Sequence, residues 1–303
     1  MSLSLPELCI PSPVEKIYHP LLKEKNILLF AKRDDKIHHD FSGNKYRKLK
    51  FNLIQFQEKG FSFLITFGGA YSNHLHAVSF LSKYYNIITV GIVRGEPEYA
   101  RNTTLSECLE NGMSLHFVSR EEYRLKEKSS DVQKILSLYP NHFLIPEGGS
   151  NTFALPGVCE IWNELSIQLR QVPDYIFCAS GTGATAAGLL SGVPEKTRIL
   201  AFPVLKYDHF EKEILSFSNT LPKENLLCKS EYHFGGYARR DKNLIDFVKE
   251  FTTITDIEID LVYNAKALYG FFDLVKHDFF QKNSRIVWLN TGGLQGNKGL
   301  NPH

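Results

Sequence analysis

The sequence has no excess of charge of either sign. Its 35 lysines and arginines against 33 aspartates and glutamates leave a net charge of +2 over 303 residues, which supplies no global field for holding nucleic acid or an anionic membrane surface. Cysteine is sparse: Cys9, Cys108, Cys159, Cys178 and Cys228 form no Cys-x-x-Cys pair, which argues against a zinc site or a disulfide framework. A reducing cytoplasm is the compartment expected, and no metal is expected. No uncharged apolar run reaches the ~20 residues that crossing a bilayer requires. The opening Met1-Ser2-Leu3-Ser4-Leu5-Pro6 lacks the basic-then-apolar order of a secretory signal. No segment is repeated or of low complexity. What remains, at 43% hydrophobic and 22% charged residues, has ordinary globular composition and a length that suits two medium domains.

The chain alternates short apolar runs with amphipathic stretches. Residues 27–33, 63–67, 87–93, 115–118, 175–179, 198–203 and 285–289 read as buried strands. Helices are predicted after the 41–49 stretch as far as Gly60, then over 75–84, 103–111, 121–138, 155–170, 241–251 and 265–281. Residues before Asp40, with Pro11, Pro13 and Pro20, read as an extended lead-in. Strands alternating with helices predict α/β architecture with parallel sheets covered on both faces. The dense turn chemistry of Pro146-Glu147-Gly148-Gly149-Ser150-Asn151 marks a crossing between domains.

Candidate chemistry centres on Phe41-Ser42-Gly43-Asn44-Lys45-Tyr46-Arg47-Lys48-Leu49. Gly-Asn hands the chain from loop to helix, which puts the Lys45 amine at the positive end of a helix dipole, where the ammonium form is disfavoured. A partly neutral lysine can attack an aldehyde. Taken alone, the stretch reads first as a solvated basic face, with Arg47, Lys48 and Lys50 close by. The turn Ser180-Gly181-Thr182-Gly183-Ala184-Thr185 follows a strand and opens a helix. Its converging amides and hydroxyls suit a monophosphate, and it has neither P-loop nor Gly-x-Gly-x-x-Gly spacing; tight helix-on-sheet packing would use the same glycines. Ser72-Asn73-His74 after Gly68-Gly69, and Thr291-Gly292-Gly293 after the last strand, are further strand-end turns. Ser72 or Asn73 also suits a simple helix cap. In open parallel sheets such turns share one crevice.

Six ordered motifs carry a resemblance over nearly the whole chain: Ser42-Gly43-Asn44-Lys45-x-Arg47-Lys48-Leu49, Ser72-Asn73-His74, the 146–151 turn, Ser180-Gly181-Thr182-Gly183-x-Thr185-x-Ala187-Gly188, Val262-Tyr263-x-x-Lys266-Ala267 and Thr291-Gly292-Gly293. The chain resembles the 1-aminocyclopropane-1-carboxylate (ACC) deaminase and D-cysteine desulfhydrase family, pyridoxal 5'-phosphate enzymes of the tryptophan synthase β-subunit fold. The resemblance implies two open parallel-sheet α/β domains (fold-type II), 1–47 with 156–303 and 48–155, with the cofactor in the crevice between them. It further implies that Lys45 forms the Schiff base and Lys48 helps hold the phosphate. Gly181, Thr182, Gly183, Ala184 and Thr185 would grip that phosphate, Asn73 would bond the ring hydroxyl, and Thr291 would fall near the pyridine nitrogen. Ser72 would face the substrate carboxylate or shuttle a proton, and Tyr237 and Tyr263 would match the family's two active-site tyrosines. A homodimer and a small amino-acid substrate are implied as partners.

Four positions depart from the family pattern. Asn264 stands where ACC deaminases carry Glu, and Thr291 where they carry Leu. Neutral groups there supply no charge to favour a protonated ring nitrogen, a pattern like the desulfhydrase branch, whose thiolate leaves readily. Tyr71 replaces the usual Gln and Ala238 the usual Gly, both on the substrate side. The expectation is a lyase closest to D-cysteine desulfhydrase, with ACC deaminase as the alternative in the same fold and a non-catalytic phosphate-ligand-binding protein as the alternative outside it. Borohydride reduction followed by mass analysis should find a pyridoxyl adduct on Lys45 and none in Lys45→Ala; an adduct that survives the substitution would remove Lys45 from the centre of the site.

Overall fold

The computed structural model describes residues 8–41 and 43–299; Ser42 and the start of the chain lie outside the described residues. In chain order the elements are β1 (Val14–Ile17), α1 (Pro20–Glu24), β2 (Leu28–Arg33), α2 (Asn44–Glu58), β3 (Phe63–Gly69), α3 (Asn73–Tyr85), β4 (Ile88–Arg94), α4 (Thr103–Glu110), β5 (Ser114–Val118), α5 (Arg120–Leu125), α6 (Ser130–Ser137), β6 (His142–Ile145), α7 (Ala154–Leu169), β7 (Tyr175–Ser180), α8 (Ala184–Leu190), β8 (Arg198–Pro203), α9 (Phe210–Leu215), β9 (Leu226–Cys228), α10 (Lys242–Thr255), α11 (Asn264–Lys276) and β10 (Arg285–Asn290).

These strands form two sheets, a six-stranded one in the order β1-β2-β10-β7-β8-β9 and a four-stranded one in the order β5-β4-β3-β6. All pairings are parallel except the edge pair of β1 with β2. The apolar runs are continuous because both faces of each sheet are covered. In the larger sheet Phe177, Leu200, Phe202, Ile286 and Trp288 point to the side of α10 and α11. Their neighbours Ile176, Ile199, Val287 and Leu289 point to the side of α7 and α8, as the two-residue period of a strand requires. The smaller sheet is packed likewise, with α2, α3 and α4 on one face and α5 and α6 on the other.

The predicted helix over 121–138 is two helices. Lys126 adopts φ 51°, a left-handed conformation that ends α5, and Ser129 restarts the chain by capping α6 through Val132 N. β1, α1, β6, α9 and β9 are additional to the sequence reading. All are short, with too few residues to display a period. Among the described residues, no helix is long and apolar enough to cross a membrane, and no cluster of three or more His, Cys, Asp or Glu side chains could hold a metal ion.

A buried ion cluster joins the segments around α2. Arg47 Nε and Nη2 donate to Asp34 at 2.6 and 2.7 Å, and its Nη1 and Nη2 donate to Glu164 at 2.9 and 3.0 Å. Lys32 Nζ lies 2.5 Å from Glu164, and Ser12 Oγ donates to Asp34 at 2.7 Å. A side-chain carbon at Gly157 would come within 2.1 Å of the Arg47 carbonyl, so glycine there is what lets α7 lie against α2. Burial alone would raise the Glu164 carboxyl, but hydrogen bonds and charge from Arg47 and Lys32 hold it below the usual range. Such a group stabilises the fold above its unfolded pKa, and that contribution is lost as pH falls through the folded value. Arg47→Met, which takes the cation from Asp34 and leaves Glu164 with Lys32 alone, should destabilise the fold by about 3–5 kcal/mol, read as a lower urea midpoint at unchanged slope. A loss under about 1 kcal/mol would show that the cluster does not carry this junction.

Candidate active site

The start of α2 is stitched to two strand ends. Gly43 N donates to Asp34 O at 2.9 Å beyond β2, and Asn44 N approaches Thr291 O at 3.4 Å beyond β10. Gly43 has φ 67°, and a side-chain carbon on it would fall 1.9 Å from Thr291 O; no other residue fits this approach. Asn44 Nδ2 donates to Thr185 Oγ1 at 3.0 Å, which ties the same helix start to the turn after β7.

Lys45 and Lys48 lie three residues apart on one face of α2 and enter the crevice together. The half-buried Lys45 amine takes part in no hydrogen bond among the described residues. Burial draws it down to about 8, against the pull of the Asp260 carboxylate. The expected cause was the helix dipole; the cause found is desolvation. Lys48 Nζ donates to Gly148 O at 2.8 Å and reaches Thr182 Oγ1 at 3.5 Å. Burial, and then the neighbouring Lys45 charge, hold it well below the usual lysine range. The turn after β7 is drawn to the 146–151 turn by a Ser150–Thr182 hydroxyl contact. Gly183, at φ 84° with Ile214 behind it, turns the chain into buried Ala184 and α8.

From the other sheet, Ser72 caps α3 by accepting Leu75 N at 3.2 Å. Asn73 follows it, and a side-chain carbon at Gly293 would come within 2.8 Å of Asn73 Nδ2. His74 is 2% exposed, with Nε2 2.8 Å from Thr66 Oγ1. The Thr66 hydroxyl gives its proton to Ile145 O at 2.8 Å, so His74 Nε2 carries a hydrogen and Nδ1 is a bare acceptor. Burial and the Lys45 and Lys48 charges keep the ring neutral. Asn73 Oδ1 and His74 Nδ1 are both buried without a partner.

At the far wall, Tyr237 and Tyr263 sit with ring centroids 6.0 Å apart and planes at 72°. Burial raises both phenols, and hydrogen-bond coupling to Tyr237 pushes Tyr263 up further. At neutral pH they are protonated donors and cannot serve as bases. A small cavity of about 50 Å³ is lined by Tyr71, Asn73, Tyr237, Ala238, Val262, Tyr263 and Gly296. Two of the four departures from the family pattern, Tyr71 and Ala238, thus form its wall.

Behind it, Asp260 accepts Val262 N, Tyr263 N, Asn264 N and Asn264 Nδ2 at 3.1, 2.6, 2.9 and 2.6 Å. Burial raises its carboxyl while these donors oppose the rise. Asn264 Nδ2 also reaches Thr291 Oγ1 at 3.3 Å and Gly292 O at 2.9 Å. The sequence reading left Asp260 out. An aspartate four residues ahead of a helix start is a capping signal, and its closeness to Lys45 follows only from the fold.

The candidate residues thus converge from several strand ends on one crevice. Pyridoxal phosphate, which the resemblance implies, asks for a nucleophilic amine, an anion cradle and polar groups along a ring. The residues fit: a desolvated Lys45, a turn of glycines and hydroxyls beside Lys48, and two orphaned buried acceptors at Asn73 and His74.

A family profile described as pyridoxal-phosphate dependent enzyme matches residues 9–292. A Thermotoga maritima protein provisionally named 1-aminocyclopropane-1-carboxylate deaminase is 30% identical over 94% of this chain and 95% of its own. The mitochondrial bifunctional D-cysteine desulfhydrase/1-aminocyclopropane-1-carboxylate deaminase of Arabidopsis thaliana is 29% identical over 95% of this chain and 77% of its own. The crystal structure of an ACC deaminase homologue superimposes with a TM-score of 0.79 at 24% identity, covering 94% of this chain and 90% of that one, and so shares the fold.

Only the neutral amine of Lys45 attacks an aldehyde, and its pKa of about 8 sets a pH dependence. Covalent capture of pyridoxal phosphate by cofactor-free protein, followed by absorbance, should accelerate as pH rises from 6 through about 8 and level off above it. A rate that climbs steadily to pH 10 would mean that the amine keeps an ordinary lysine pKa.

Proposed function

The chain belongs to the pyridoxal-phosphate-dependent enzymes, as a lyase of the ACC deaminase/D-cysteine desulfhydrase family, and we propose that its own substrate is D-cysteine, converted to pyruvate, ammonia and sulfide. One observation carries the choice. Beyond β10 the buried Asn264 amide and Thr291 hydroxyl are bonded to each other, and the Asp260 carboxylate behind them is occupied by four N–H donors. A neutral face gives weaker electron withdrawal, which suffices when the leaving group is a thiolate and serves less well for opening a cyclopropane ring.

When bound, pyridoxal phosphate supplies an aldehyde that links to amines and a ring that draws electrons from the α-carbon. The chain's own groups do the rest. Lys45 would offer the amine that holds the cofactor, and it or Ser72 would take the α-proton of the substrate. Lys48 and residues Gly181 to Thr185 would hold the phosphate, Asn73 would meet the ring hydroxyl, and Thr291 would serve the ring nitrogen. Tyr237 and Tyr263, as protonated phenols, donate to the substrate from the cavity wall. We assign 1–47 with 156–303 to the larger domain and 48–155 to the smaller, and include a homodimer in a cytoplasmic setting in the proposal, supported by the family resemblance.

ACC deamination is the second reading, supported by the names of the relatives. A pyruvate and ammonia assay across D-cysteine, L-cysteine, D-serine and ACC decides between them. D-Cysteine is expected to give a kcat/KM at least roughly tenfold above ACC, a difference of about 1.4 kcal/mol in transition-state stabilisation; the opposite order would overturn the assignment.

A further inference from the structure

The segment that presents Tyr237 is two successive turns. His233 O accepts Gly236 N at 3.0 Å, and Gly236 O accepts Arg239 N at 3.1 Å. Positive φ runs through it: 53° at Phe234, 87° at Gly235, 119° at Gly236 and 56° at Ala238. Tyr237 and Ala238 are the central residues of the second turn, and its third position, with positive φ, is one that favours glycine. Phe234 and Ala238 hold left-handed conformations that L side chains rarely adopt, and such residues persist only where the surroundings over-determine them.

The surroundings do so through one side chain. Lys266, in the first turn of α11, is fully buried, and its Nζ donates to His233 O at 2.9 Å and to Gly236 O at 2.6 Å. These are the two carbonyls that close the two turns. No carboxylate forms an ion pair with Lys266 among the described residues, so these carbonyls are its hydrogen-bond partners. Burial draws the amine down to about 8. A neutral amine still has two N–H groups for two acceptors, so the hold does not depend on the charge.

We propose that Lys266 is a positioning residue that sets Tyr237 into the substrate cavity by holding the His233 and Gly236 carbonyls, which keeps Ala238 in its left-handed conformation. The inference rests on the reading of Tyr237 as a substrate contact. It explains how this chain tolerates alanine at a glycine-favouring position: the lysine supplies from outside the constraint that glycine would meet without strain.

Four holoenzymes test it: wild type, K266M, Y237F and the double variant. K266M should lower kcat/KM for the preferred substrate about tenfold or more, mainly through KM, while titration with pyridoxal phosphate stays within about twofold of wild type. In the Y237F background K266M should add less than about twofold, because its effect runs through Tyr237. Trypsin should cut after exposed Arg239 at least about tenfold faster in K266M, and A238G should restore part of the K266M loss. Should K266M fail to fold, Lys266→Gln, which keeps an N–H donor, carries the same comparison. Independent, multiplying losses in the double variant, or an unchanged tryptic rate, overturn the proposal. An unchanged kcat/KM in Y237F overturns the reading of Tyr237, and the proposal with it, whereas an unchanged tryptic rate beside an impaired Y237F overturns the hold alone.

Discussion

The buried guanidinium of Arg47 is the constraint on which the site depends. It bonds Asp34, just past β2, and Glu164, in α7, and so fixes the first turns of α2 against an early strand end and a helix from the middle of the chain. Residues two apart on a helix point about 200° apart and residues three apart share a face. Arg47 therefore turns into the core while Lys45 and Lys48 turn into the crevice. A buried ion cluster of this kind adds little net stability over a hydrophobic replacement, but a rigid helix start is what a nucleophile needs if its position is to be set within a fraction of an ångström.

Desolvation then governs the chemistry. Burial is the first cause of the lowered pKa of Lys45, Lys48 and His74 and of the raised phenols of Tyr237 and Tyr263. The crevice thus favours neutral forms on both walls: amines and imidazole that can accept protons, and phenols that can donate them. Burial raises the Asp260 carboxyl too, and four N–H donors oppose the rise. Its negative charge is shared among four N–H groups, so it supports α11 and attracts Lys45 without presenting a free carboxylate to the substrate side.

Much of this was legible in the residues. The strands of the two sheets were read as apolar runs because strands covered on both faces have no polar face to display. The glycine turns at 68–69, 181–183 and 292–293 were read because backbone bends and close approaches restrict residue type locally. Elements of three to six residues, β1, α1, β6, α9 and β9, were missed because they are too short for a period. The break at Lys126 was missed because residues 126–131 are a polar stretch with no glycine or proline to mark a helix end. At the site, Lys45, the phosphate turn and the tyrosines were legible by type and order. The parts of Asp260, His74 and Lys266 were not, since each depends on partners in other segments.

By itself the sequence determined the alternation that makes two parallel sheets and the turns at their ends, and it offered a lysine at a helix start that only the family resemblance singled out. These follow from side-chain period, backbone freedom and helix-start chemistry, all of which act over a few residues. Only the tertiary structure decided that Lys45 is desolvated beside Asp260, that His74 presents a bare Nδ1, and that Lys266 holds the turn carrying Tyr237. Burial and hydrogen-bond partnership belong to atoms brought together from segments far apart in the chain, as Lys45 and Asp260 are, and have no local signature before the chain has folded.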